Sequence, residues 1–220
     1  MWLSQVSRVS WIFGRASASR RHAVKRSTAA LAALATLAAV GLAACGVGGP
    51  QFALQNVSGL LPQLKFALTN DDGQMVTAKD YRGKIVLLYF GYTHCPDACP
   101  TTLTNLSEAM KRLGPEASRV RVLFVTVDPA RDTLAVLKRY VSAFGPEFVG
   151  LRGDDDALTA LSKRYRIAYH REPPDRNGYY AVDHSSAVFI FDASGAARLL
   201  AGESDNPRTI AVDLHKLDAS

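Results

Sequence analysis

The sequence predicts an α/β fold with a mixed central sheet covered by helices. Three observations lead there. From about Leu64, short strand-like runs alternate with helical patterns. One run, "KIVLLYFGY" (Lys84 to Tyr92), is apolar without alternation, as in a central strand buried on both faces. The chain closes with two strands joined by an "ASG" turn and then a helix, which puts an antiparallel pair into the sheet.

The elements follow in order. "LKFALTNDDGQMVTA" reads as a hairpin whose turn runs from Asn70 to Gly73. After the central strand, "TLTNLSEAMKRLG" places Leu103, Leu106, Met110 and Leu113 on one helical face, with Gly114 and Pro115 as the stop. "VRVLFVTVD" (Val120 to Asp128) is a strand. Leu134, Leu137, Tyr140, Val141 and Phe144 form the next helical face, ending at Gly145–Pro146. "FVGLRG" is a short strand, and "DDALTALSKRY" a helix capped by Asp154 or Asp155. "SAVFIFD" (Ser186 to Asp192) and "AARLLAG" are antiparallel partners. "NPRTIAVDLHKL" is the last helix, with Asn206 as cap and Pro207 at its first position. This order matches a thioredoxin-like fold. The stretch from Ala168 to Val182 is additional, a loop or hairpin inserted before the penultimate strand.

The first 44 residues differ from the rest. They hold Arg8, Arg15, Arg20, Arg21, Lys25 and Arg26 and no acid, and so carry the whole net charge of +6. The pI of about 9.3 therefore belongs to this leader, and a nucleic-acid-binding surface is not expected. A basic stretch, an alanine-rich run from Ala29 to Ala44 and then Cys45 read as an export signal, too short and weakly apolar for a typical spanning helix. "SRRHAVK" (Ser19 to Lys25) is similar to a twin-arginine signal, without the large apolar residue after the pair. "LAAC" (Leu42 to Cys45) resembles a bacterial lipobox. That resemblance implies a lipoprotein-type signal peptide over 1–44, lipidation of Cys45, and a domain held at the membrane facing the periplasm. Residues 45–63 then read as a tether, and 64–220 as the folded domain.

Cys95 and Cys99 sit in "GYTHCPDACP", between the central strand and the following helix. With Cys45 consumed by the anchor, they have only each other in an oxidising compartment, where they could form a redox disulfide. Pro100 suits the first turn of a helix, so Cys99 lies at the helix N-terminus and Cys95 in the loop before it. Free N–H groups and the helix dipole favour thiolate there, so both sulfurs are expected to be reactive and partly exposed. Three intervening residues do not match the two of thioredoxin-like reductases. A four-residue step lets both sulfurs reach one ion, and two soft ligands suit Cu(I) or zinc. The strand starting near Ser186 runs antiparallel to the central strand, so its start lies beside the cysteine loop. His184 sits at that start and is the candidate third ligand.

"GYTHCPDACP", "FVTVDPARDT" and "DHSSAVFIFDASG", in that order, resemble the Sco/SenC family of copper chaperones for cytochrome oxidase assembly. The resemblance spans roughly Leu64 to Leu217. It implies copper held by Cys95, Cys99 and His184. It also implies delivery of that copper to the dinuclear site of the copper-bearing subunit of cytochrome c oxidase, or reduction of that subunit's thiols. Other periplasmic copper carriers or thiol reductases are further expected partners.

Asp128 and Asp132 end a strand on the same rim and are candidates to support the ligands, with strand-end turns or helix caps as the alternative. Asp97 between the cysteines is a third candidate, weighed against a solvated loop acid. No catalytic residue is assigned. A metal-independent thiol:disulfide oxidoreductase competes with the copper reading, but that chemistry does not need His184. A peroxidase would carry its cysteine in a Pro-x-x-x-Thr-x-x-Cys setting, and "LYFGYTHC" offers Thr93 but no such proline. A structural disulfide across so short a surface loop would gain little.

Overall fold

A computed structural model describes residues 50–219 of the chain. The expected signal peptide, the expected lipidation site Cys45 and the first residues of the expected tether lie outside the described residues.

The strands are β1 (Gln55–Asn56), β2 (Ala67–Asn70), β3 (Met75–Thr77), β4 (Ile85–Gly91), β5 (Val120–Thr126), β6 (Phe148–Arg152), β7 (Tyr169–Arg171), β8 (Val182–His184), β9 (Val188–Phe191) and β10 (Ala197–Ala201). The α-helices are α1 (Ala98–Leu113), α2 (Leu134–Ser142), α3 (Asp155–Tyr165) and α4 (Pro207–Asp218). Eight strands form one mixed sheet in the order β1-β10-β9-β4-β5-β6-β2-β3, while β7 and β8 pair only with each other.

β4 is central because both its faces are covered. Ile85, Leu87 and Tyr89 point to one side, where they meet Leu103, Leu106 and Met110 of α1 and Ile210 and Leu214 of α4. Val86, Leu88 and Phe90 point to the other, toward Leu158, Leu161 and Tyr165 of α3. Alternate residues of a strand face opposite ways, so a run buried on both sides loses its polar phase. β4 runs parallel to β5 from Ile85↔Val120 to Gly91↔Thr126. It runs antiparallel to β9 from Val86↔Phe191 to Tyr89↔Val188. The end of β4 and the start of β9 therefore share one rim.

The expected helix stops and caps are present. Gly114 ends α1 at a positive φ of 59°, where an L side chain would be strained. The carboxylate of Asp154 accepts the Ala157 N–H, and the Asn206 side chain accepts the Arg208 N–H ahead of Pro207. α2 stops at Ser142, so Phe144 packs from beyond the helix rather than on its last turn.

Two expectations need revision. The tether predicted over 45–63 enters the core well before Leu64. Leu54 and Val57 are buried, and Gln55–Asn56 pair with β10. The buried carboxylate of Asp213 on α4 accepts both the Ala53 and Leu54 N–H groups at 2.7 Å. Only two large apolar residues flank this two-residue strand, too few to give a periodic signal. The insertion is a hairpin, and it extends to His184. His184 thus ends β8 instead of opening the penultimate strand.

Candidate metal centre

The rim where β4 ends and β9 begins carries the site. Cys95 lies in the loop leaving β4, and Cys99 is the second residue of α1. His184 comes from β8. One donor atom from each of the three lies within 4.8 Å of the others. The Cys99 Sγ is 3.2 Å from His184 Nε2. The other ring nitrogen, Nδ1, stands 3.0 Å from the Ser185 carbonyl oxygen. A carbonyl can only accept, so Nδ1 carries the proton and Nε2 turns its lone pair toward the sulfurs. The ring is held edge-on by Tyr89 and Tyr92, with centroids 6.1 and 5.8 Å away.

The two sulfurs are not equivalent, contrary to the expectation that both are partly exposed. Cys95 is half-buried, whereas Cys99 has 0% exposure. Side chains in the first turn of a helix lean back toward its N-terminus, and on this face of α1 that direction leads into the core. Burial pushes the Cys99 thiol up to about 12, outweighing its polar neighbours. The free N–H at the helix start serves the other sulfur: the Cys99 N–H donates to Cys95 Sγ at 3.4 Å. Gly91 makes room for this packing. A Cβ there would lie 2.7 Å from Cys99 Sγ and 2.7 Å from the Phe124 ring.

Of the three acids singled out, Asp132 and Asp128 are fully buried and Asp97 is exposed. Asp132 fastens the cysteine loop. Its carboxylate accepts the Thr93 N–H at 3.0 Å, the Thr93 hydroxyl at 2.6 Å and the Thr126 hydroxyl at 2.6 Å. Its other neighbour is the imidazole of the half-exposed His94, 3.6 Å away. Asp128 faces the inserted hairpin, bound by Arg131, Arg171 and Tyr180. Asp97 caps no backbone N–H and accepts a 3.4 Å bond from the Thr101 hydroxyl, in keeping with a solvated loop acid. Sequence reasoning assigned no role at this site to Thr93, Thr126, Arg131, Arg171 and Tyr180. Thr93, Thr126 and Arg131 lie inside the motifs. Arg171 and Tyr180 lie in the insertion, where no periodicity marks a strand.

Two thiols and one imidazole suit a soft or borderline metal ion. The surroundings fit such an occupant. The buried Tyr89 hydroxyl lies within hydrogen-bond reach of Cys99 and Thr102, and the buried Tyr140 hydroxyl, near both sulfurs, has no partner among the described residues. Hydroxyls buried beside the sulfurs suit a site that takes on negative charge, as thiols do when they ligate a metal.

Fold and site together define a thioredoxin-like thiol protein with a Cys–Cys–His group able to take a metal ion in place of a two-residue redox motif. The chain belongs to the SCO1/SenC family, whose model matches residues 60–218. It is similar in structure to Bradyrhizobium japonicum ScoI with copper bound, at 37% identity and a TM-score of 0.65, over 70% of this chain and 98% of that one. Yeast Sco1 with copper bound is similar at 34% identity and a TM-score of 0.66, over 72% and 90% of the two chains. In sequence it is 42% identical over 132 residues to a mitochondrial SCO2 homologue of Bos taurus, covering 59% of this chain and 50% of the bovine protein. A SCO2-like protein of Rickettsia felis matches at 35% identity, over 59% and 64% of the two chains. The match thus spans about half to two thirds of these relatives' length.

Proposed function

We propose that this chain is an exported copper-binding protein that serves cytochrome c oxidase assembly. It holds copper on Cys95, Cys99 and His184. It delivers that copper to the dinuclear copper site of the oxidase, or reduces the thiols of that site. The observation that carries the reading is the convergence of the three donors within 4.8 Å. Family membership supports it, as do the relatives solved with copper bound.

The chain's own residues provide for uptake and release of a cargo ion. Cys95 is the accessible donor, on a loop held by Asp132. Cys99 is the enclosed one, protonated when no metal is held because burial disfavours its thiolate. His184 brings a neutral nitrogen whose proton is already committed to Ser185. An incoming thiol of a partner can meet the exposed side of Cys95 first and exchange ligands from there.

Among the described residues no helix is long and apolar enough to cross a membrane. In our reading, membrane attachment comes from a lipid on Cys45, after removal of residues 1–44, with the domain in the periplasm of a bacterial envelope. The alternative function is a thiol:disulfide oxidoreductase acting without metal, since Cys95 and Cys99 are both free and four residues apart.

Complementation separates the two. Cells lacking the protein should assemble a copper-containing oxidase poorly and recover when copper is added to the medium. Under the copper reading His184→Ala should fail to complement as completely as Cys95→Ser. Full rescue by His184→Ala at low copper would favour the oxidoreductase.

A further inference from the structure

His184 stands on a hairpin that shares no ladder with the eight-stranded sheet. Its backbone pairing is internal, Tyr169↔His184 and Arg171↔Val182. Something else must fix where the imidazole stands. Val182 is buried and gives the hairpin an apolar foothold. Apolar contact alone permits sliding, because it has no directional term. Beside the edge contacts of Tyr89 and Tyr92 on the ring and the contact of Tyr92 with the Val182 backbone, the polar side-chain contacts of the hairpin gather at one carboxylate.

Asp128 follows β5 on the same rim and is 0% exposed. Its backbone N–H is held by the Thr126 hydroxyl at 3.0 Å, so the carboxylate is set by the central sheet. The Tyr180 hydroxyl donates to its Oδ1 at 2.8 Å, and Arg171 lies 3.3 Å from the same oxygen. Arg131 pairs with Oδ2. The Arg131 guanidinium also donates to the Tyr180 carbonyl oxygen at 3.0 Å and lies over the Tyr180 ring, 3.6 Å from its centroid. Tyr180 leads into β8 and Arg171 ends β7, so both strands of the hairpin are gripped. A buried charge with this many partners tolerates one geometry, because removing any partner leaves an unpaired group.

We propose that Asp128, Arg131 and Tyr180 form a clamp that positions His184 over the cysteine pair and so decides how well the site holds Cu(II). The inference rests on the copper reading above. Tyr180 touches no ligand. It lies four residues from His184, about 13 Å along an extended chain, and acts through the strand between them. Cu(I) is satisfied by two thiolates, whereas Cu(II) calls for the imidazole as well. Loosening the clamp should therefore weaken Cu(II) binding and leave Cu(I) binding in place.

The test uses the purified, reduced full chain with Tyr180→Phe, which keeps the ring under Arg131 and removes only the hydroxyl. Asp128→Asn is the stronger companion. Cu(I) and Cu(II) affinities are measured by chelator competition, with the visible thiolate–Cu(II) absorption and thermal unfolding alongside. Tyr180→Phe should weaken Cu(II) about tenfold, shift the band toward that of His184→Ala, and change Cu(I) less than about twofold. Added to His184→Ala, it should change neither metal further, since a positioning residue has nothing left to position. Equal losses of both ions, an unchanged band, or additive losses on the His184→Ala background would overturn the clamp. If His184→Ala itself leaves Cu(II) unaffected, the ligand assignment fails and the clamp with it. If His184→Ala loses Cu(II) normally while Tyr180→Phe is unchanged, only the clamp fails.

Discussion

Cys99 Sγ and His184 Nε2 meet at 3.2 Å although 85 positions separate the residues in the chain. The contact joins the start of α1 to the end of an inserted hairpin. Cys99 makes it while wholly buried, and Cys95 is the more exposed of the two sulfurs.

This asymmetry predicts unequal thiol reactivity. In the reduced metal-free protein, iodoacetamide should modify Cys95 at least about tenfold faster than Cys99, since access favours the outer sulfur and burial disfavours the Cys99 thiolate. Peptide mass spectrometry over a time course reads the two sites separately. Equal rates would contradict the placement of Cys99 in the core.

Asp132→Ala should destabilise the fold by about 3 kcal/mol, because it leaves the Thr93 N–H and the enclosed Thr126 hydroxyl without their acceptor. Urea titration measures this. The variant should also bind metal less tightly, as its cysteine loop is no longer tied to β5. A loss below about 1 kcal/mol would mean that other groups or water replace the carboxylate.

Gly91→Ala is a single added methyl aimed at the site. Its Cβ would lie 2.7 Å from Cys99 Sγ. Overpacking of this kind costs about 1–3 kcal/mol. Unlike a remote core variant of equal cost, it should also alter the metal-bound absorption. A variant with the wild-type spectrum would show that Cys99 need not sit against β4.

The anchoring proposal is tested by mass spectrometry of the membrane-extracted protein. The mature chain should begin at a lipidated Cys45, and Cys45→Ser should retain the basic leader. A full-length wild-type chain without lipid would replace the proposal with an uncleaved segment.

Much of this was legible in the sequence because the physics that made it is local. β4 announces burial on both faces through its unbroken apolar run. Asp154 and Asn206 announce helix starts through short-range caps. The neighbourhood of His184 was legible because β9 starts where its antiparallel partner β4 ends, although His184 itself ends β8, four residues ahead of that start. What escaped depends on direction and distance. Burial of Cys99 follows from which way the second residue of α1 leans, and no spacing rule states that. The grip of Asp128 on Tyr180 links groups 52 positions apart, the second within a polar insertion. β1 is two residues long and was hidden inside the expected tether.

The central claim is that Cys95, Cys99 and His184 hold one copper ion together. The most direct measurement is copper titration of the reduced full chain, wild type beside Cys95→Ser, Cys99→Ser and His184→Ala. The wild-type chain should take up one copper, with intense visible absorption when it is Cu(II). Either cysteine variant should lose that band, and His184→Ala should weaken Cu(II) more than Cu(I). A band fully retained in Cys95→Ser or Cys99→Ser, or equal affinities for both ions in wild type and His184→Ala, would contradict the claim.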